Sequence, residues 1–464
     1  MRLAGVAFLA LTLRVAAVLW IPTQPVSDFW SFVHLARGIV EQGGYHWAPR
    51  APTAMFAPGY PLLLAAAFAV VGYSATLVKA ISIVLSVLLV VVGALAARSL
   101  VGAGAALAAA VLLALDPRQI LLSLLSATEL LAAPTLFVFV WLLATSWRSE
   151  RALGRALVAG VVLGVSALSR PVGGFVWVFW PVASLVAGKR PRALLAETAL
   201  VLIGLYAVLL PWGTRNAIVL DRFTVSSMNA GMNLFMGNND RATGGWTQDW
   251  LEQLAAVRPD AIGATEAQVD AIAADEGRRW IKANPLRAAQ LYFAKLRTYL
   301  FVFTNFEIAY WAIFATDVSP PGSPAGDALP GPHPLKENSE LVADVLRETY
   351  WLLLGLGALG AVLLAWKAWR TADRYWMASA VTLIGLTAYF PAMTSIFIVV
   401  DRYRWPMLDA LTLLAGFAVV QSARGARSFL SERHQKEQPA ALAREAGDRV
   451  PDRATARARS SRAR

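Results

Sequence analysis

The sequence predicts an all-α polytopic membrane protein with about ten transmembrane helices, within a range of about 9 to 13. Three observations carry that reading. Of 464 residues, 57% are hydrophobic and only 16% are charged, an apolar excess that soluble cores could not absorb. Apolar runs of about 20 residues, the length that crosses the hydrocarbon, recur along the chain. The 17 Trp suit a chain with many membrane–water interfaces, where indole is favoured. The absence of Cys excludes disulfides and thiolate metal sites. A formal charge of +12 looks like a nucleic-acid signal. Much of the excess sits in short loops and the C-terminal tail, so no nucleic-acid partner is expected.

The first run, Leu3 to Ile21, is long for a signal-peptide core, contains Arg14 and leads to Ile-Pro rather than a small-x-small cleavage site. It reads as an uncleaved span. Further spans are expected near 75–98, 102–125, 129–147, 154–170, 171–188, 193–212, 345–366, 375–394 and 405–422. Four cationic loops then set direction: Arg98; Arg148, Arg151 and Arg155; Lys189, Arg190 and Arg192; Lys367, Arg370 and Arg374. All fall on one side only if the N-terminus is cytoplasmic and Pro58–Gly72 does not cross. That stretch, "PGYPLLLAAAFAVVG", has about 15 residues and reads as a re-entrant or interfacial helix.

This topology divides the chain into four parts. Residues 1–212 form an N-terminal catalytic module with a first outer loop at 22–74. Residues 213–344 form an outer segment of roughly 130 residues with interfacial helices, including the aromatic-rich stretch 287–316. Residues 345–422 supply the last spans, and the basic, Ala-rich tail 423–464 is expected to be disordered, cytoplasmic and close to anionic lipid. The turns at Ser126–Glu129, Ser169–Pro171 and Asp401–Arg404 share the outer side, and both termini are cytoplasmic.

Several polar residues at that outer side need a reason. In the first loop, Phe29, Val33, Ala36 and Val40 share one helical face, the pattern of a helix lying on the bilayer. Asp28 stands where that helix begins, as a cap or as a catalyst. Glu129, in "LLSATELLAAP", begins a span, where a carboxylate among leucines costs a few kcal/mol unless partnered. Two outward carboxylates on separate elements could share a divalent metal ion or a substrate proton. Arg170 in "ALSRPVGG", and Arg402, Tyr403 and Arg404 in "VVDRYRWP", suit phosphate oxygens, since guanidinium binds them in bidentate fashion. Each has a bland alternative: snorkelling for Arg170, pairing with Asp401 for the others. Arg215 and Asn216 form a further Arg–amide pair. "NLFMGNND" could bind sugar hydroxyls or be an ordinary turn. His34 and His46 read as interfacial residues rather than ligands. No Walker loop, Rossmann glycine pattern, nucleophile elbow or HExxH occurs, so a nucleotide-driven enzyme has no support.

Taken in order, "SDFWSFVHLARGIVEQGGYHW", "FAPGYPLLLAAAFAVVG", "LLSATELLAAP", "ALSRPVGG", "PWGTRNAIVLDRFTVSSMNAGMNLFMGNND" and "DRYRWPML" resemble the polytopic C-superfamily glycosyltransferases. The likeness is greatest to the protein mannosyltransferase-like family 39 and the related bacterial aminoarabinose lipid A transferases. It covers about residues 1–240 and the last spans. The resemblance implies transfer of a sugar from a polyprenyl-phosphate donor on the outer membrane face, in a bacterial inner membrane. It maps the family's loop acid to Asp28 and a second acid to Glu129, with a divalent metal between such loops in some relatives. Tyr60, in the proline–glycine stretch, joins the substrate-binding candidates. Two departures stand out. Ala57 occupies the place of a basic residue in lipid A-directed relatives, and Phe29 to Ser31 supply no cation after the loop Asp. The lipid A acceptor loses support, and the phosphate partner is sought among Arg170, Arg402, Arg404 and Arg215.

The expected reaction is therefore an inverting hexosyl or pentosyl transfer with Asp28 as base. The acceptor is a lipid, glycan or protein. The competing class is a transporter or flippase of lipid-linked sugars, which would favour repeated halves and charges buried in mid-span; no repeat is evident.

Overall fold

The computed structural model describes residues 2–21, 23, 27–48, 51–149, 151–302 and 338–447. Among these, eight helices are long and apolar enough to cross a membrane. They are α1 (Arg2–Trp20), α4 (Ala75–Val101), α7 (Glu129–Ser146), α8 (Ala152–Ser169), α10 (Pro191–Leu220), α15 (Ser339–Thr371), α16 (Arg374–Thr394) and α17 (Trp405–Gly447). The protein is an all-α polytopic membrane protein, with a two-stranded hairpin (His46–Ala48 and Ala51–Pro52) as its described sheet. The described residues as far as Ala418 form one compact unit and those from Val419 a second.

Two of the expected spans are not single helices. The run 102–125 breaks into α5 (Ala103–Leu115) and α6 (Pro117–Leu122). The cause is Asp116–Pro117: proline has no amide hydrogen to donate and pushes its predecessor out of helical geometry, and Asp116 is extended, at φ −60° and ψ 114°. Its carboxylate caps α6, accepting from Arg118 N at 2.9 Å, and also pairs with the Arg118 guanidinium. The break leaves carbonyls at the end of α5 without intrahelical partners. Arg14, fully buried on α1, takes them up: its guanidinium donates to Leu113 O at 3.1 Å, Ala114 O at 3.0 Å and Ser86 Oγ at 2.7 Å. A charge inside an apolar helix is thus a helix cap delivered from a neighbour.

The second interrupted run is 171–188. It opens as a 3₁₀ helix, Pro171–Val178, and becomes α9 (Phe179–Val186). Pro171, Gly173 and Gly174 disfavour the α-helix at this point, and the Tyr389 hydroxyl holds the tighter coil by donating to Val172 O at 2.5 Å.

Three of the cationic loops, at 148–155, 189–192 and 367–374, meet at one end of the bundle. The Arg148 guanidinium lies 3.8 Å from the Tyr375 ring centre and Lys367 Nζ 3.6 Å from that of Trp376. Lys189 pairs with the buried Glu197 at 2.5 Å. At the other end lie α2 (Ser27–Gln42) and α3 (Gly59–Val71). With 13 residues at about 1.5 Å each, α3 reaches only about 20 Å, short of a hydrocarbon thickness of about 30 Å. Phe29, Phe32, Val33 and Ala36 of α2 pack with Tyr60, Leu64 and Phe68 of α3 in one apolar cluster. Gly59 starts α3 against the end of α8, where an added Cβ would fall 2.6 Å from Ser169 Oγ and 2.8 Å from the Leu168 carbonyl carbon.

The segment after α10 is helical where described: α11 (Ala230–Gly237), α12 (Trp250–Val257), α13 (Glu266–Ala283) and α14 (Pro285–Phe301). Glu266 binds the first loop, accepting from Thr53 Oγ1 at 2.6 Å and Ala54 N at 2.9 Å. Asp270 accepts from Gly231 N at 2.7 Å and pairs with Arg222 at 3.1 Å. The buried Lys295 donates to Gly237 O at 3.1 Å and Phe397 O at 2.8 Å. Three boundaries differ from expectation. α10 runs to Leu220 rather than 212, α15 starts at Ser339 rather than 345, and the stretch beyond 423 is helical as far as Gly447. The expected interfacial structure at 303–316 and the tail 448–464 lie outside the described residues.

Candidate functional site

Four elements bring charged side chains together at the α2–α3 end. Ser27 opens α2 at φ 51°, in the left-handed region that a residue with a side chain seldom occupies. Asp28, in the first turn, pairs with Arg402 of the Asp401–Arg404 3₁₀ turn through Oδ2 and Nη2. Glu129, at the start of α7, lies with Oε1 2.6 Å from Arg170 Nη2 and accepts from Thr128 Oγ1 at 3.1 Å. Arg170 itself is extended, at φ −140° and ψ 103°, between the end of α8 and the 3₁₀ helix. The Pro171 interruption is what turns it out of the helical row.

One ring joins the two pairs. The guanidinium carbons of Arg170 and Arg402 lie 5.0 Å and 5.8 Å from the Tyr403 ring centre, within cation–π range. The cluster therefore reads Asp28–Arg402–Tyr403–Arg170–Glu129. Its members come from residues 28, 129, 170 and 402–403, which the sequence separates widely. It is only partly open: side-chain exposure is 26% for Asp28, 20% for Arg402, 16% for Arg170 and 4% for Glu129. Charge interactions at such a half-dry edge are stronger than in open water. Arginines adjoining carboxylates can exchange partners with a phosphate, the planar fork matching either.

The other candidates stand apart from this cluster. Arg404 is buried, pairing with Asp401 at 3.1 Å and donating to Thr298 O at 2.7 Å and to Val302 O. It fastens the turn to α14. Arg215 donates to Thr53 O at 2.8 Å and Tyr45 O at 3.2 Å, and Asn216 donates to Thr224 O at 2.9 Å. Both lie on the last turns of α10; Arg215 holds the residues on either side of the hairpin, and Asn216 the loop that follows α10. Tyr60 is fully buried, edge-on to Phe32 with ring centres 6.2 Å apart. His34 stacks on Trp30 at 4.6 Å and donates through Nε2 to Trp47 O at 2.8 Å.

Asp28 and Glu129 each face an arginine, and the described residues contain no group of three or more His, Cys, Asp or Glu able to hold a metal ion. As arranged, the two carboxylates do not form a metal-ligating set.

Beside Glu129 and Arg170 lies a shallow recess, lined also by Leu136, Ser166, Trp405 and Asp409. Asp409 was not singled out in the sequence. It sits four residues into α17 within "DRYRWPMLDALTLL", where an acid among leucines was the available signal.

No family model matches this chain, and no curated protein sequence matches it. Solved structures of an archaeal oligosaccharyltransferase from Archaeoglobus fulgidus share its fold. The enzyme in complex with an inhibitory peptide and a dolichol-phosphate aligns at 14% identity and TM-score 0.50, over 94% of this chain and 51% of that one. The complex with Zn and sulfate aligns at 16% and 0.51, over 92% and 50%. The form tethered to an acceptor peptide containing the NVT sequon aligns at 14% and 0.52, over 90% and 49%. The chain spans about half the length of these structures. This chain thus shares its fold with these oligosaccharyltransferase structures.

Proposed function

We propose that this chain is a membrane glycosyltransferase that moves a sugar from a polyprenyl-phosphate donor to a lipid, glycan or protein acceptor, with inversion. The observation that carries the reading is the five-residue cluster in which Tyr403 lies beside both Arg170 and Arg402 while each arginine faces a carboxylate. In support, the structural neighbours are oligosaccharyltransferases, one solved with a dolichol-phosphate and one with an acceptor peptide. The narrower branch, family 39 or its aminoarabinose-transferring relatives, rests on the sequence motifs alone.

In this mechanism the donor phosphate takes hydrogen bonds from Arg170 and Arg402, competing with Glu129 and Asp28 for them. The carboxylate of Asp28, relieved of part of its pairing, accepts the proton of the acceptor hydroxyl or amine. The acceptor atom bonds to the anomeric carbon as the bond from that carbon to phosphate oxygen breaks. The proton goes to Asp28, and polyprenyl phosphate departs carrying one more negative charge. The two guanidiniums meet that growing charge. Glu129 orients Arg170. No nucleotide is required, because the donor's sugar–phosphate bond supplies the driving force. The reaction belongs to the outer membrane face, with both termini in the cytoplasm of a bacterium.

The test uses membranes supplied with a labelled polyprenyl-phosphate hexose. Wild-type membranes pass label to endogenous acceptor; Asp28→Asn membranes with equal protein do not. A flippase reading draws on the buried polar residues of α1, α6 and α17, yet Arg14 is engaged by the end of α5 and Arg118 by Asp116. Movement of intact donor across liposomes without transfer would favour it.

A further inference from the structure

The turn that carries Arg402 and Tyr403 is a 3₁₀ segment, Asp401–Arg404, reached through a strap, residues 395–400, that is neither helix nor strand. Short 3₁₀ turns bond poorly and gain little from their own backbone. What holds this stretch is one face of α14. Lys295, Thr298, Tyr299 and Val302 (the residue just past the helix) stand at i, i+3, i+4 and i+7, a single stripe. Lys295 Nζ donates to Phe397 O at 2.8 Å and to Ile396 O at 3.4 Å. The Tyr299 hydroxyl donates to Tyr403 O at 2.7 Å. The carbonyls of Thr298 and Val302 accept from Arg404. Lys295 and Tyr299 are the buried side chains of α14, at 2% and 0% exposure.

The strap also rests on the end of α11 and the loop after it. Asn238 Nδ2 donates to Ile396 O at 3.0 Å, and Val399 N to Gly244 O at 2.8 Å. Gly237 lies so close that an added Cβ would fall 2.0 Å from Phe397 O. Lys295 bonds to this layer too, donating to Gly237 O at 3.1 Å and Asn238 Oδ1 at 3.4 Å. An ammonium has three protons, and here four carbonyl oxygens surround it. Burying a charge is costly unless its donors are met. These donors are met by the strap and by the segment beside it, so the charge ties the two together.

We propose that α14 positions Arg402 for the donor phosphate, with Lys295 and Tyr299 as the positioning residues. The proposal rests on the polyprenyl-phosphate reading above and adds what sets that arginine in place. Neither side chain touches the phosphate. Lys295 fixes the backbone that leads to Arg402, and Tyr299 fixes the carbonyl of the residue that follows it. A planar fork must meet phosphate oxygens at set angles, and a misplacement of about 1 Å is enough to be felt at a reacting centre. Arg170 is placed by other means: it follows α8, and its N donates to Ser166 O at 2.8 Å.

The test is the affinity of the full chain, in lipid nanodiscs, for polyprenyl phosphate, which binds without reacting. Tyr299→Phe deletes one hydroxyl and keeps the ring. Lys295→Met keeps the length and removes the charge. Each is expected to weaken binding about three- to tenfold, at most what the lost hydrogen bonds contribute. Both changes are then repeated in Arg402→Ala and in Arg170→Ala. Residues that act through Arg402 are non-additive with it, so in Arg402→Ala the effect should shrink below about twofold, while in Arg170→Ala it keeps its full size. The same factor in every background is what a general loosening of the fold would give, and it overturns the proposal. Tyr299→Phe is mild enough to decide the matter if Lys295→Met fails to fold, and wild-type affinity in Tyr299→Phe also overturns it. Wild-type affinity in Arg402→Ala is a different result: it overturns the phosphate reading of that arginine itself.

Discussion

Arg402 Nη2 pairs with Asp28 Oδ2 across 374 residues of sequence. The pair joins the beginning of α2 to the turn that leads into α17, so the site exists only when these two elements have met. It also sets the state of the group proposed as base, because any anion that engages Arg402 alters what holds Asp28.

Asp28→Asn keeps the shape of the side chain and removes its capacity to take a proton. Transfer from a labelled polyprenyl-phosphate hexose should fall by roughly 100- to 10,000-fold, the range of a positioned general base. Donor binding should persist. Transfer at the wild-type rate, with equal protein in the membrane, would remove Asp28 from the mechanism.

Tyr403 acts through its ring, which lies near both arginines. Tyr403→Phe keeps the ring and should stay close to wild type. Tyr403→Leu loses two cation–π contacts and should raise donor KM about tenfold, with a smaller change in kcat. Steady-state kinetics decide this, and a Phe variant as impaired as the Leu variant would shift the role to the hydroxyl.

Chelators should leave transfer unchanged. Asp28 and Glu129 are each engaged by an arginine, and a divalent ion would have to displace both. Assays in EDTA, with and without added Mg²⁺ or Mn²⁺, read this directly; activity lost in EDTA and restored by the ion would contradict it.

Lys295 predicts a pH dependence of stability. It is 2% exposed, and burial lowers its pKa from the ordinary lysine value of 10.5 to about 8. Between those values the unfolded chain holds a proton that the folded chain has released, so stability rises with pH through that window. Below about pH 8 both states are protonated and the burial penalty is present in full. Thermal melts of wild type and Lys295→Met at about pH 8 and about pH 10 isolate the effect. Wild type should gain on the variant as pH rises; a constant difference would mean that Lys295 does not titrate in this range.

Arg14→Leu leaves the Leu113 and Ala114 carbonyls without their donor in an apolar interior. A loss on the order of 3 kcal/mol is expected, since buried polar groups left unpaired and hydrogen bonds to charge both count. Melting in detergent should drop well below wild type. An unmoved transition would show that the carbonyls find other partners.

Much of this architecture was legible because the signals are periodic and long. Twenty-residue apolar runs and one-sided cationic loops are counted directly, and α3 was short enough to be set aside as a non-crossing helix. The breaks at 116–117 and 171–178 were harder. Each lies inside a run apolar enough to cross, and hydropathy does not register what one proline does to one helix. Within the candidate site, Asp28, Glu129, Arg170, Arg402 and Tyr403 were visible as polar residues at span ends. Their pairing was not, since Glu129 and Arg170 meet through an extended residue whose geometry only folding reveals. Arg404, and less firmly Arg215, were phosphate candidates in sequence, yet their guanidiniums are largely occupied by backbone carbonyls. Asp409 passed unnoticed because a lone acid in a long apolar helix has no spacing partner to announce it.

The capping of α5 by Arg14 has a consequence for biogenesis. α1 leaves the ribosome about 100 residues ahead of the carbonyls that Arg14 serves. A lone arginine at a helix centre adds about 2.5–3.5 kcal/mol to insertion on translocon scales, which the surrounding apolar residues can offset. α1 would therefore enter the bilayer with its charge unmet, and lateral assembly would have to wait for the emergence of α5. The first five helices are then committed together: the arginine that is a burden at insertion becomes the reason the later helix docks where it does.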